Sequence, residues 1–108
     1  MSIWTNRPVS NRCLYLLKWR ILEVKPGADR HFIGVNAADG TGRVSSTIRD
    51  FDVLARRGIT ASGRTYVLVG SSHFDEDVEF TWNRWCRLNR IEAYVDITGG
   101  LSIHQSSN

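Results

Sequence analysis

The sequence has no long apolar run, no secretory leader and only two cysteines, and each absence excludes a class of protein. A helix that crosses a bilayer needs about 20 consecutive, mostly apolar residues, and no stretch of the chain supplies them. The amino terminus lacks the basic segment followed by an apolar segment that marks a secreted protein, so the predicted location is the cytoplasm. In that compartment Cys13 and Cys86 are expected to be free and buried, not paired.

Residue patterns of metal and catalytic sites are also missing. His31, His73 and His104 are each separated by more than thirty residues, whereas zinc ligands recur at short spacings. Segment 71–75 contains serine, histidine and aspartate without a nucleophile-elbow pattern, and a polar loop before a helix is the better interpretation. Segment 39–42 is glycine-rich, but no helix follows it to bind phosphate, so it predicts a hairpin turn. We expect no metal, no cofactor and no catalytic residue.

Positive charge is concentrated in the first part of the chain. The 108 residues carry a net charge of +3, with eleven basic and five acidic residues over 1–70 and three basic and six acidic residues over 71–108. Arginine outnumbers lysine twelve to two, and its planar guanidinium suits bidentate contacts with carboxylates and phosphates. This layout indicates either a basic surface for an acidic protein or nucleic acid, or two solvated surfaces of opposite sign.

Alternating apolar and polar residues predict strands in the first 70 residues. A long strand from Leu14 and a second strand over 31–36 form a hairpin, because segment 25–29 has the proline and glycine of a turn. A third strand covers 43–49. The fourth, over 65–69, is the densest β-prone run and the predicted central strand, with Ile59 and Thr60 as its hairpin partner.

The period changes after residue 70. Acidic residues precede basic ones over 75–90, which complements a helix dipole, with Ser72 or Asp75 as the N-cap and Asn89 as the end. The apolar stripe of this helix is predicted to contain Val78, either Thr81 or Trp82, then Trp85 and Leu88.

Alternation over 91–97 predicts a last strand, giving the order β-β-β-β-α-β. We therefore predict a small α+β domain over 13–98, with a mostly antiparallel, strongly bent sheet or partial barrel of about five strands. Residues 1–12, which contain Trp4, are predicted to be an N-terminal arm, and 99–108 a polar C-terminal tail.

The first functional hypothesis is a non-enzymatic binding or adaptor module that also self-associates. Its predicted contacts are Arg43, Arg49 and Arg64 on the strands, with Arg56 and Arg57 in the connecting loop. The predicted partner is an acidic protein or a nucleic acid, and no membrane binding is expected. In a purely oligomeric variant of this hypothesis, Leu14 and Leu16 on the first strand meet their equivalents in a second copy, forming a homodimer that Leu16→Lys would dissociate.

The alternative hypothesis is a small-molecule-binding protein or minor enzyme. Its pocket would lie between helix and sheet and be lined by Trp19, Tyr66, Trp82 and Trp85. Ordinary core packing is the favoured interpretation of the three tryptophans, while Trp4 and Phe80 are better candidates for surface aromatics.

Four segments resemble a group of small uncharacterised bacterial proteins carried on mobile DNA, including integron gene cassettes and plasmids. The segments read GRVSSTIRDFD, RRGITASGRTYVLVG, WNRWCRLNRI and VDIT, and the resemblance spans about residues 14 to 98. Its most specific parts are residues 42–46 and 62–66. The resemblance implies a bacterial, cytoplasmic accessory protein without an established activity, and it supplies no catalytic residues.

Overall fold

The structure, a computed structural model, describes residues 13–100 and shows a small α+β fold. The predicted arm with Trp4 lies outside the described residues, as does the predicted tail after Gly100. The described part contains one long helix and seven strands, where about five were predicted. In chain order they are β1 (Cys13–Lys25), β2 (Arg30–Asn36), β3 (Gly42–Val44), β4 (Ile48–Asp52), β5 (Arg57–Thr60), β6 (Thr65–Leu68), helix α1 (Glu76–Asn89) and β7 (Ala93–Asp96).

The strands form one mixed sheet in the order β3-β2-β1-β6-β5-β4, with β7 paired to the second half of β1. The predicted hairpin of β1 and β2 is confirmed, and all pairs are antiparallel except β1 with β6. The sheet is thus mostly antiparallel, as predicted, but the sequence did not indicate where a parallel pair would form. Here strands β2 to β5 themselves supply the long connection that a parallel pair requires.

The predicted third strand is divided into β3 and β4, which lie at the two opposite edges of the sheet. Ser45 ends the first piece, since its hydroxyl accepts from the Phe32 N–H at 2.9 Å and the side chain is buried. Val44 and Ile48 are four residues apart, so the two edges are separated by at most about 14 Å. The sheet therefore curls strongly, although the strand pairing among the described residues does not close it into a barrel.

A bulge interrupts β1 at Lys18 and Trp19, both of which lie opposite Gly34 on β2. Lys18 has a φ of 48°, and a Cβ on Gly34 would lie 2.8 Å from the Leu17 carbonyl oxygen. Glycine is therefore required beneath the bulge. Because a bulge shifts the alternation of side chains, Leu16 before it and Ile21 after it point to the same side of the sheet.

Both sides of the sheet are buried around β1 and β2, so neighbouring residues such as Phe32 and Ile33 belong to different clusters. The inner cluster fills the curl of the sheet, and the helix-facing cluster packs beneath α1. The inner cluster contains Leu14, Leu16, Ile21, Phe32, Tyr66 and Leu68, and the helix-facing cluster contains Leu22, Val24, Ile33, Val78, Trp82 and Cys86.

The helix begins and ends where the sequence predicts. Asp75 is the N-cap, with its carboxylate accepting from the Asp77 N–H at 3.2 Å, and the last helical residue is Asn89. The buried stripe contains Val78, Trp82 and Cys86. Leu88, predicted to be on that stripe, is exposed instead.

Candidate functional site

Three of the five predicted arginines lie at one end of the curled sheet. Arg43 is on β3, Arg49 lies at the bulge near the start of β4, and Arg64 immediately precedes β6. The turn before Arg64 contacts the segment between β3 and β4, because the Ala61 N–H donates to the Thr47 carbonyl at 2.8 Å. We call Arg43, Arg49 and Arg64 the arginine surface.

Arg56 and Arg57 are separated from the arginine surface by the length of β5, roughly 10 Å at 3.3 Å per residue. Arg56 is held in place, since its guanidinium donates to the Gly70 carbonyl at 2.6 Å and lies 5.8 Å from the centre of the Trp19 ring. Arg57 is exposed on the side of the sheet that faces away from the inner cluster. The structure therefore divides the predicted arginine set into two groups.

The guanidiniums of the arginine surface form no ion pair with any described carboxylate. Within the described part of the chain, none of its three guanidiniums lies within 4 Å of a carboxylate, whereas Arg20, Arg30, Lys18 and Lys25 all form ion pairs. Arg49 and Arg64 also make no hydrogen bond through their side chains to any described residue.

Arg43 is the most constrained member of the arginine surface. It is half-buried, and its Nε donates to the hydroxyl of Tyr66 at 3.2 Å. Its charge also reaches the turn after β2. There, hydrogen bonds from Thr41 are the main cause of a lowered pKa at Asp39, and Arg43 adds to that shift.

A cleft of about 400 Å³ opens beside Arg64. One wall is the start of β1, and the other is the turn that follows β2, where the Asn36 side chain accepts from the Ala38 N–H at 2.9 Å. Apart from Arg64 and Asn36, the lining is apolar or weakly polar. The lining residues are Cys13, Leu14, Tyr15, Asn36, Ala37, Ala38 and Arg64.

The structure does not bring the four residues of the predicted aromatic pocket together. Trp19 and Tyr66 belong to the inner cluster, and Trp82 and Trp85 to the helix-facing cluster on the other side of the sheet. Trp82 is fully buried and stacks on Trp85 at 5.1 Å between ring centres. The Trp19 indole N–H donates to the Gly70 carbonyl at 3.0 Å. Their surroundings are those of core side chains, while Phe80 is exposed as expected.

A second cleft, of about 360 Å³, surrounds Arg20, which sequence reasoning did not single out. Arg20 forms ion pairs with Glu79 on the helix at 2.6 Å and with Asp96 on β7 at 3.1 Å. Burial acts to raise the pKa of Asp96, but hydrogen bonds from Thr98 and the charge of Arg20 outweigh it and lower that pKa. Because Arg20 forms ion pairs with both acids, this cluster connects β1, α1 and β7.

The side of the sheet opposite the inner cluster is apolar and largely uncovered at β1, β5 and β6. Tyr15 is 51% exposed, Leu17 38%, Ile59 45% and Val69 38%. By contrast, Leu14 and Leu16, the predicted contacts of a homodimer, are buried in the inner cluster. That interface prediction is therefore wrong about the face of β1.

Comparison of the chain with protein-family models, with curated proteins and with solved structures found no match. No helix in the described range is long and apolar enough to cross a membrane. Within residues 13–100, no group of three or more His, Cys, Asp or Glu side chains is arranged to hold a metal ion. The resemblance to proteins on mobile DNA stays a prediction, as does the cytoplasmic location.

Proposed function

We propose that the protein is a non-enzymatic binding module whose arginine surface binds an acidic segment of another protein. The observation that carries this proposal is the position of Arg43, Arg49 and Arg64 at one end of the sheet, beside a cleft and without an ion pair to any described carboxylate. Guanidiniums without an internal carboxylate are available for bidentate contacts with a partner's carboxylates.

The cleft beside Arg64 favours a protein partner over nucleic acid. Its largely apolar lining of Leu14, Tyr15 and two alanines suits an apolar side chain next to an acidic one. Single-stranded nucleic acid instead needs several exposed aromatic faces for base stacking. Trp82 is fully buried, and Trp19 and Trp85 are half-buried within the two clusters. Tyr15 is the aromatic residue that this cleft exposes.

Fluorescence anisotropy distinguishes the two partner classes. One probe is a labelled synthetic peptide of alternating glutamate and leucine, and the others are labelled single- and double-stranded oligonucleotides, each titrated at low and moderate salt. We expect saturable binding of the peptide. Binding of the oligonucleotides alone, with log K falling by about 0.7–0.9 per phosphate contact for each tenfold rise in salt, would assign the surface to nucleic acid instead.

Matched charge reversals locate the site. Arg64→Glu should weaken peptide binding at least tenfold, because it places a negative charge at the mouth of the cleft. Arg84→Glu is the control, since it makes the same change at an exposed position on the helix. Equal effects of the two substitutions would show that only net charge matters, and the absence of binding to every probe would reject the proposal.

A further inference from the structure

The cleft beside Arg64 has hydrogen-bond donors on two sides. Arg64 lies on the β6 side of β1, because it precedes Thr65, which pairs with Cys13. Asn36 lies on the β2 side of the same strand, where it pairs with Leu16. Both Arg64 and Asn36 line the cleft, so a group bound between them can accept hydrogen bonds from both.

The Asn36 side chain has a donor group that the fold does not use. The residue is only 8% exposed, and its side-chain oxygen accepts from the Ala38 N–H at 2.9 Å. That bond identifies the other end of the amide as the NH₂ group, which forms no hydrogen bond with any described residue. Fully buried side-chain nitrogens without a partner occur in the described range only at Arg20 and Trp82. The NH₂ group of Asn36 is therefore accessible from the cleft.

Arg64 supplies the charge of the cleft. Its guanidinium forms neither an ion pair nor a hydrogen bond with any described residue. Most of the remaining lining is apolar or aromatic and consists of Leu14, Tyr15, Ala37 and Ala38. A ligand must therefore combine an anionic group with an apolar one. The two groups must also be close together, because a volume of about 400 Å³ is small for a binding site.

The last residue of a polypeptide has this combination of groups. A residue in the middle of a chain brings either a carboxylate or an apolar side chain into a small cleft. A terminal residue brings both, because its main-chain carboxylate and its side chain are attached to the same Cα. We propose that the cleft binds the free C-terminus of the partner's acidic segment, with an apolar last residue. This inference rests on the proposed function and adds which part of the partner enters the cleft.

Each group of the terminal residue has a counterpart in the cleft. One carboxylate oxygen accepts from the Arg64 guanidinium and the other from the Asn36 NH₂ group, and the charge strengthens both hydrogen bonds. The apolar side chain contacts Leu14 and Tyr15. Acidic residues that precede the terminus bind the other two members of the arginine surface, which lie at the same end of the sheet. Capture of a C-terminal carboxylate is a recurring mode of peptide recognition.

Three labelled peptides of alternating glutamate and leucine, each ending in leucine, test the proposal by anisotropy. The first has a free C-terminal carboxylate, the second a C-terminal amide, and the third an amide with one additional glutamate that restores the net charge. The free acid should bind at least tenfold more tightly than either amide, because an amide places an NH₂ group against two donors. Equal binding of the first and third peptides would overturn this inference and leave the proposed function standing. Absence of binding by all three would reject the proposed function itself.

Asn36→Asp tests the second donor. Aspartate keeps the shape of asparagine and the acceptor for the Ala38 N–H, but it replaces the NH₂ group by an oxygen. The preference for the free acid over the charge-restored amide should therefore be lost. Asn83→Asp adds the same charge at an exposed position on the helix and should leave that preference unchanged. An unaltered preference in Asn36→Asp would contradict the contact.

The rate at which N-ethylmaleimide modifies Cys13 locates the bound peptide, because Cys13 lines the cleft. The free acid at saturation should slow this reaction, which is followed by mass spectrometry. Cys86 is the internal control, since it is buried and its burial raises the pKa of its thiol. Binding of the free acid without protection of Cys13 would place the peptide elsewhere and overturn the inference. Equal protection by N-acetyl-leucine at the same concentration would assign the cleft to small apolar acids instead.

Discussion

Helix α1 ends at a residue whose backbone conformation favours glycine, although the sequence has arginine there. Arg90 has a φ of 58° and a ψ of 41°, in the left-handed region. The N–H of Ile91 donates to the Cys86 carbonyl at 2.9 Å, and that of Arg90 to the Arg87 carbonyl at 3.3 Å, as at a Schellman-type ending. Ile91 packs against the helix-facing cluster, so this ending is fixed by burial.

Arg90→Gly should be more stable than Arg90→Ala. A residue with a Cβ pays roughly 1–2 kcal/mol in the left-handed helical conformation, whereas glycine loses about 0.5–1 kcal/mol more backbone entropy on folding. The difference leaves glycine ahead by about 1 kcal/mol. Both variants lose the same guanidinium and its interaction with the helix dipole, so their comparison isolates the backbone.

Thermal unfolding followed by circular dichroism measures this difference. For a domain of this size, 1 kcal/mol corresponds to about 4–8 °C in Tm. The control is the same pair at Leu88, an exposed position inside the helix, where alanine should exceed glycine by about 1 kcal/mol. If alanine equalled or exceeded glycine at position 90 as well, the left-handed helix ending would be refuted.

Three further predictions concern packing, capping and pH. Gly58→Ala should lower the free energy of unfolding by about 1–3 kcal/mol, because the new Cβ would lie 2.5 Å from the ring of buried Phe32. Gly27→Ala is the control: its Cβ would have no neighbouring atom within 4 Å, so its stability in the same urea titration should be close to that of the wild type. Asp75→Ala should cost about 1 kcal/mol in urea unfolding through the lost N-cap, and Asp75→Asn clearly less; equal losses would contradict the cap. Because the folded-state pKa of Asp96 is lowered, its contribution to stability is present above its ordinary pKa and is lost as pH falls through the folded value; Asp96→Asn should make urea unfolding less sensitive to pH below about 4.

Elements that depend on neighbouring residues were predictable from the sequence. The hairpin of β1 and β2 follows from alternation on both sides of a turn, and the helix bounds follow from Asp75 and the order of charges. In both cases the groups that form the contacts lie within a few residues of one another. Local propensity was therefore sufficient to predict the hairpin and the bounds of the helix.

Contacts between distant parts of the chain were not predictable. The parallel pair joins Leu14 to Tyr66, and Arg20 reaches Glu79 and Asp96 across 59 and 76 residues. No periodicity in a single sequence indicates which residues so far apart along the chain will be in contact. Similarly, the sequence could predict that arginines are exposed on the strands, but only the curl of the sheet groups Arg43 with Arg64 and separates them from Arg57.

The bulge in β1 explains why the predicted dimer contacts lay on the wrong face. Continuous alternation through residues 14–22 places Leu16 and Leu22 on one side, whereas the positive φ of Lys18 shifts the alternation between them. Lysine is not a residue type that indicates a positive φ, and nothing in the sequence distinguishes Gly34 from a glycine elsewhere in a strand. Leu16 is fully buried, so Leu16→Lys would lower the stability of the fold instead of acting on a surface between subunits.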